Sequence, residues 1–384
     1  MRYSTRMRIG LDGYPLTEPR TGVGHYTIEL ARALAGNSPS DHFELISPAP
    51  LDPVVLKELN HAQLSSLSVT NPKSNLVRRR WWAVGLPLYA RKASFDLFHG
   101  TNFELPLWNC RRNVVTVHDL SVMLHPQTHR SRLVRRARRR LPLTVKLADR
   151  IITPTESIRR EVCEYLTVDP AKVIAVHSAP RASFQPMPPA KAARLRKQLG
   201  IEDEFLLFVG TLEPRKNLPT LVRAFAKILR ETALKPQLVI AGGKGWLMEE
   251  FLSSIKDSVS SRRVCLTGYL PDAQLCALYS TCRVFVYPSV YEGFGFPPFE
   301  AMACGAPVIA SRIEVLQETL GSAACFVEPL DADALAANMV ELLEDPARRD
   351  EMSSRGRRHA SGFSWAATAR RTLDVYREVM SLKK

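Results

Sequence analysis

Short apolar runs alternate with stretches of helical spacing along this entire chain, and that alternation leaves few folds open to it. Runs that are continuously hydrophobic, rather than hydrophobic at every second residue, suit strands buried on both faces, as parallel strands are when helices cover each side of a sheet. In the first half the strand candidates are residues 7–11, 43–46, 97–98, 114–117, 150–153 and 173–176. In the second they are 205–209, 237–241, 264–267, 284–287, 308–310 and 324–327. Leu221, Phe225 and Ile228, at i, i+4 and i+7, typify the helices between them. Two parallel sheets, each in its own α/β domain, are expected, and 384 residues are enough for two such units. Between the two sets, residues 180–189 hold Pro180, Pro186, Pro188 and Pro189, which rule out a helix interior or central strand and mark the domain boundary.

Composition narrows the function classes. With 45% hydrophobic and 24% charged residues the chain can bury a core, which excludes a disordered tail or linker. Apolar runs such as 205–209 fall well short of the roughly 18 to 20 residues that cross a bilayer. The basic start, Met1 to Arg8, leads straight into Ile9-Gly10-Leu11 without the apolar segment and cleavage site of a signal peptide, so residence in the cytoplasm is expected. The seven cysteines are scattered, with no CxxC pair, which points to neither a disulfide framework nor a zinc site. Cys304, among small residues, reads as a buried free thiol. The net charge of +15 is uneven: residues 1–180 hold 26 Lys and Arg against 15 Asp and Glu, a balance of +11, so an anionic partner is expected for the first half.

Four segments carry chemistry. Residues 288–305 follow an apolar strand with a loop rich in glycine and proline, in which Gly293 and Gly295 permit close backbone approach and Pro297 suits the first turn of a helix. Glu292 and Glu300 bracket that loop. An acid beside Phe299 and Met302 needs hydrogen-bond donors, and sugar or ribose hydroxyls would serve. Residues 208–218 repeat the strand, glycine and loop order and place Arg215 and Lys216 together past a strand end, a guanidinium fork and a point charge suited to a diphosphate. Gly22-Val23-Gly24 opens a helix like part of a dinucleotide fingerprint, but Thr27 stands where the third glycine would be, so the segment reads as flexible backbone near a phosphate or sugar. His118 and Asp119 follow the strand at 114–117, at the strand end where ligands of open α/β sheets bind.

Taken together, Thr21-Gly22-Val23-Gly24, Val117-His118-Asp119-Leu120, residues 148–153, 210–218, 292–300 and 307–311, and Phe363-Ser364-Trp365 resemble the retaining glycosyltransferases of family 4, especially bacterial mannosyltransferase-like members. The resemblance implies a GT-B fold: two Rossmann-like domains facing across a cleft, an acceptor-binding domain at 1–180, a nucleotide-sugar domain at 181–362, and a helix at 363–384 returning to the first domain. It implies catalytic roles for His118, Arg215, Lys216 and Glu292. Donor binding would fall to Gly22, Thr211, Arg215, Lys216, Gly293, Phe294, Gly295 and Glu300, with Gly268-Tyr269-Leu270 near the base. His25, where many relatives have arginine, departs from the pattern. The implied activity is hexose transfer from a nucleotide-diphosphate sugar, with a lean toward GDP-mannose or a related GDP-hexose, to a glycan or a lipid-diphosphate-linked acceptor in surface polysaccharide synthesis. No cofactor and no metal are expected.

The stretch from Arg130 to Arg140 contains seven arginines, and Leu133, Ala137, Leu141 and Val145 recur among them, which predicts a basic amphipathic helix kinked at Pro142. Such a helix either packs one stripe on its own domain or lies on an anionic inner-membrane surface, where Trp81 and Trp82 beside Arg78, Arg79 and Arg80 would suit the same interface. Two other function classes compete. A nucleotide-sugar epimerase would share the architecture and is separated by product analysis without acceptor. A nucleic-acid-binding protein is suggested by charge alone and leaves the 292–300 segment unexplained, so no nucleic-acid partner is expected.

Overall fold

The computed structural model describes residues 6–18, 20–61, 64–71, 80–108, 110–247, 255 and 262–382; Arg78 and Arg79 lie outside these residues. The chain forms two compact units, one of Met1–Met123, Arg132–Ser178 and Ser364–Lys384, the other of Leu124–Ser131 and Ala179–Phe363.

The first unit is built on seven strands: β1 (Arg8–Asp12), β2 (His42–Ile46), β3 (Leu67–Thr70), β4 (Leu97–Gly100), β5 (Asn113–Thr116), β6 (Arg150–Thr153) and β7 (Val173–Ala175). They pair in parallel in the order β3-β2-β1-β4-β5-β6-β7. Ile9 stands opposite both Phe43 and Leu97 in the ladder, and all three side chains are fully buried. β3 was not anticipated. None of its four residues is buried, so at the sheet edge it shows no apolar run to betray it. The helix Trp365–Ser381, capped by the Ser364 hydroxyl accepting from Ala367 N–H, belongs to this unit and buries Ala369, Leu373 and Tyr376. Tyr376 Oη is hydrogen-bonded to His99 Nδ1 at 2.6 Å, and Arg150 donates to Glu378.

The basic segment forms the helix Ser131–Leu147, with Pro142 inside it. Its buried stripe is Val134, Leu141 and Val145, while Leu133 is 45% exposed. The exposure of Leu133 has a geometric cause: each four-residue step overshoots a full turn, so Leu133 has rotated off the face that Leu141 and Val145 share.

The second unit contains β8 (Phe205–Val209), β9 (Gln237–Ala241), β10 (Val264–Gly268), β11 (Val284–Tyr287), β12 (Val308–Ser311) and β13 (Cys325–Val327). They are parallel in the order β10-β9-β8-β11-β12-β13, with every residue of β8, β11 and β12 buried. Phe208 stacks on Tyr287 with ring centroids 5.9 Å apart. In both sheets the chain winds outward in one direction and then restarts beside its first strand, so each has a switch point: β1 against β4 in the first, β8 against β11 in the second. Loops leaving the carboxyl ends of such neighbours diverge and leave a crevice, and Arg215, Lys216 and Glu292 lie in the loops after β8 and β11. Among the described residues no helix is long and apolar enough to cross a membrane.

Candidate active site

The loops after β8 and β11 are laced together at the second switch point. Asn217, at φ +54°, donates from Nδ2 to Pro288 O, and Val290 N–H donates to Arg215 O at 3.0 Å. This brings half-buried Arg215 together with buried Lys216 and Glu292 in one cluster. Lys216 Nζ lies 2.5 Å from Glu292 Oε1 and 2.7 Å from Tyr287 Oη, and Arg215 Nη1 donates to Glu292 Oε2 at 2.9 Å. Tyr287 Oη and Ser289 Oγ also donate to Glu292 Oε1, at 2.9 and 2.6 Å. Arg215 in turn donates to Glu213 and to Tyr291 O.

Burial alone would raise the Glu292 carboxyl, but the charges of Arg215 and Lys216 outweigh it and hold the group down to about 2. The carboxylate is thus ionised across the physiological range and organises the two cations. Burial and the neighbouring Arg215 lower the Lys216 ammonium, while Glu292 and Glu213 act in the opposite direction. Glu292 and Tyr287 engage two of the three N–H donors of an ammonium, and the third can meet an incoming oxygen anion. Arg215, Lys216, Glu213 and Glu292 together sum to zero charge, so an added anion meets preorganised donors without a standing excess of positive charge.

Glu300 lies in a second cluster of the same unit. The helix Phe296–Ala303 begins at Gly295, which is left-handed at φ +88° and whose Cβ, if present, would lie 2.6 Å from Leu316 Cδ2. Gly295 is therefore demanded by chain conformation and packing. Glu300, 4% exposed, accepts from Arg181 Nε at 2.7 Å and Nη2 at 3.2 Å, and the same guanidinium donates to both oxygens of Asp272. Burial lowers Arg181, but Glu300 and Asp272 raise it further, so it stays charged. Arg181 belongs to the proline-rich segment after β7, where a single arginine gives no sequence signal. Beside this group Cys304 Sγ, buried as expected, lies 3.8 Å from Cys276 Sγ.

The remaining residues of interest in the second unit occupy the same end of the sheet. Thr211 is in the loop after β8, and Gly268, at φ +70°, ends β10. Tyr269 is 58% exposed, whereas Leu270 and Phe294 are buried in the core. Gly293 is buried next to Glu292. His125, from the segment Leu124–Ser131, packs its ring 4.9 Å from that of Tyr291.

In the first unit, Gly22 starts the helix Gly22–Asn37 and is exposed. His118 follows β5, donates from Nε2 to Thr101 O at 2.7 Å, and meets the Tyr26 ring edge to face at 4.7 Å. Burial lowers its imidazole, so it is neutral near pH 7 and Nδ1 carries a lone pair. Asp12, at the end of β1, was not singled out from sequence. Its Oδ1 accepts from Tyr14 N–H, while its buried Oδ2 has no partner among the described residues. Burial raises its carboxyl to about 8. The native state therefore keeps the proton up to about 8, whereas the unfolded chain loses it near 3.8. Rising pH across that window favours the unfolded chain, and the loss is complete above the upper limit. Asp12→Asn removes the ionisation, so its Tm should fall less than that of wild type between those limits; parallel Tm profiles would contradict this.

The chain is similar to known glycosyltransferases. Residues 20–179 match the model for Glycosyltransferase Family 4, and residues 191–359 match that for Glycosyl transferases group 1. The chain is 30% identical to O-antigen chain mannosyltransferase B of Escherichia coli, over 97% of this chain and 100% of that protein. Its fold is similar to that of a sucrose-phosphate synthase from Thermosynechococcus elongatus, at a TM-score of 0.77 and 25% identity over 98% of this chain and 100% of that one. It is likewise similar to Anabaena HepE, solved with UDP and glucose, at a TM-score of 0.76 and 18% identity over 97% and 100% of the two chains. With both modules matched and a relative aligned from end to end, the chain belongs to the family 4 glycosyltransferases and is a sugar-transferring enzyme of the GT-B fold.

Proposed function

We propose that the protein transfers a mannosyl residue, or a related hexose, from a GDP-sugar to a glycan or lipid-diphosphate-linked acceptor during surface polysaccharide synthesis, with retention of anomeric configuration. The choice of sugar and process is supported by the full-length similarity to an O-antigen mannosyltransferase. The observation that carries the chemistry is the pair of half-buried Arg215 and buried Lys216 gathered on Glu292.

In such a transfer the anomeric bond breaks toward an oxocarbenium-like state, and negative charge grows on the departing diphosphate. Cations held in place before the reaction stabilise that charge without reorganising. Lys216 and Arg215 take this part, so the reading needs no metal. Glu292 orients both cations, and the loop of Gly293, Phe294 and Gly295 meets the donor sugar. Glu300, positioned by Arg181, receives the ribose; the segment Gly268, Tyr269 and Leu270 borders the base, with Thr211 near the phosphates. From the first unit, His118 acts beside the transferred sugar and Gly22 near the phosphates. With no dedicated nucleophile assigned, the acceptor attacks the face that the diphosphate leaves, and a departing phosphate oxygen takes the acceptor proton. An enzyme with this acceptor works on the cytoplasmic side, peripheral to the inner membrane.

GDP-mannose should raise the Tm of the purified protein more than UDP-glucose does, since ligand stabilisation grows with affinity. Adding a lipid-diphosphate-linked saccharide should then release GDP and give an α-mannoside from the α-configured donor. A β-linked product would refute retention, and a larger shift with UDP-glucose would refute the donor assignment.

A further inference from the structure

Of the six arginines of the helix Ser131–Leu147, five, at 132, 135, 136, 139 and 140, have the i, i+3, i+4, i+7, i+8 spacing of a single helix face. That face lines a cavity of about 950 Å³ in the first unit, opposite Arg80, Trp81, Trp82 and Tyr14. Like charges at these spacings repel one another. Arg136 and Arg140 each donate to Glu104 Oε1 at 2.6 Å, but among the described residues Arg132, Arg135 and Arg139 have no ion-pair partner, and no carboxylate lines the cavity. Among the described residues these five guanidinium groups thus share one carboxylate. Such clustering is unfavourable to the free protein unless a compact polyanion is to be held there, and the guanidinium fork matches phosphoryl oxygens two at a time.

The remaining wall is aromatic. Trp81 and Trp82 are buried, whereas Tyr14 is 46% exposed and meets Trp82 edge to face at 6.4 Å. An exposed ring beside a cation cluster suits a ligand with both phosphoryl oxygens and the apolar face of a sugar. Topology also places the cavity. Tyr14 follows β1, Pro48 follows β2, and Glu104 lies just beyond β4, so the cavity opens at the carboxyl edge of the sheet, the edge at which His118 follows β5.

The geometry points to this cavity as the binding site for the diphosphate of the saccharide acceptor, held by Arg132, Arg135 and Arg139, with Tyr14 against the adjoining sugar. The inference rests on the glycosyltransferase reading for the identity of the ligand, but the site itself is defined by charge and shape. A concave surface favours a discrete diphosphate over the plane of a bilayer, so contact with anionic lipid is the competing outcome of the test.

The test is calorimetric titration of inorganic pyrophosphate into the full chain and into Arg132→Gln/Arg135→Gln/Arg139→Gln, both saturated with GDP, with a parallel titration of GDP alone. Pyrophosphate affinity should fall at least tenfold in the triple variant, GDP affinity should be unchanged, and phosphatidylglycerol vesicles should not displace pyrophosphate from wild type. The triple lysine variant, which keeps charge but loses the forks, should fall between the two. Unchanged pyrophosphate affinity in the glutamine variant would overturn the proposal. So would vesicle binding that is lost in the variant while pyrophosphate binding is retained. Failure of GDP to bind wild type would instead count against the donor reading, and the pyrophosphate comparison would then be made in a Lys216→Ala background.

Discussion

Lys216→Met should reduce turnover with GDP-mannose on the order of 10²- to 10³-fold, the loss typical of removing one preorganised donor from a developing anion. The substitution keeps the stem that fills the buried space beside Tyr287 and deletes only the ammonium. Glu292 keeps Arg215, Tyr287 and Ser289 as donors, so the carboxylate is not stranded and the variant should fold. Arg215→Ala should have an effect of similar size, and the double variant should lose less than the product of the two, because both cations act on one diphosphate through one organising carboxylate. Wild-type turnover by a folded Lys216→Met protein would remove the assignment.

Arg181→Ala should destabilise the second unit by about 3 to 5 kcal/mol, the range found when one partner of a buried ion pair is removed. Arg181 is 7% exposed and Glu300 4%, so the deletion leaves the Glu300 carboxylate in a poorly hydrated site with its main donor gone. Asp272, whose side chain is 38% exposed, can be rehydrated and should add little. Arg181→Met/Glu300→Gln should recover much of the stability, because it removes the charge together with its partner. If Glu300 also receives the ribose, the double variant should recover its Tm and still bind GDP poorly. Denaturant unfolding with a GDP titration separates the two effects: an unfolding free energy unchanged by Arg181→Ala would refute the first, and wild-type GDP affinity in the double variant the second.

Much of the fold was legible because both sheets are parallel and buried, so each central strand writes itself as an apolar run. β3 escaped because a half-buried edge strand carries no such mark. Strand order is a different kind of information. Nothing in periodicity says that β8 lies beside β11, and that adjacency is what brings Lys216 to Glu292 across 76 positions of sequence. Arg215, Lys216 and Glu292 could each be picked out by their place after a strand, but their mutual contact could not. Tyr287 and Ser289 were hidden for a related reason: one looked like the last residue of a strand and the other like a loop serine, and only the loop crossing turns both hydroxyls onto Glu292. The arginine run was visible as charge density. Which arginines share a face depends on helix phase, and the phase was misread from Leu133.

In the proposed reaction, positive charge at the Lys216 position acts on the departing diphosphate. Single-turnover transfer from saturating GDP-mannose by Lys216→Ala, with and without added ethylammonium, isolates that step from donor binding. The rate should be lower by about two orders of magnitude or more and partly restored by the amine, as expected for a group whose contribution is made in the transition state. A folded Lys216→Ala protein that transfers the sugar at the wild-type rate, with or without the amine, would contradict it.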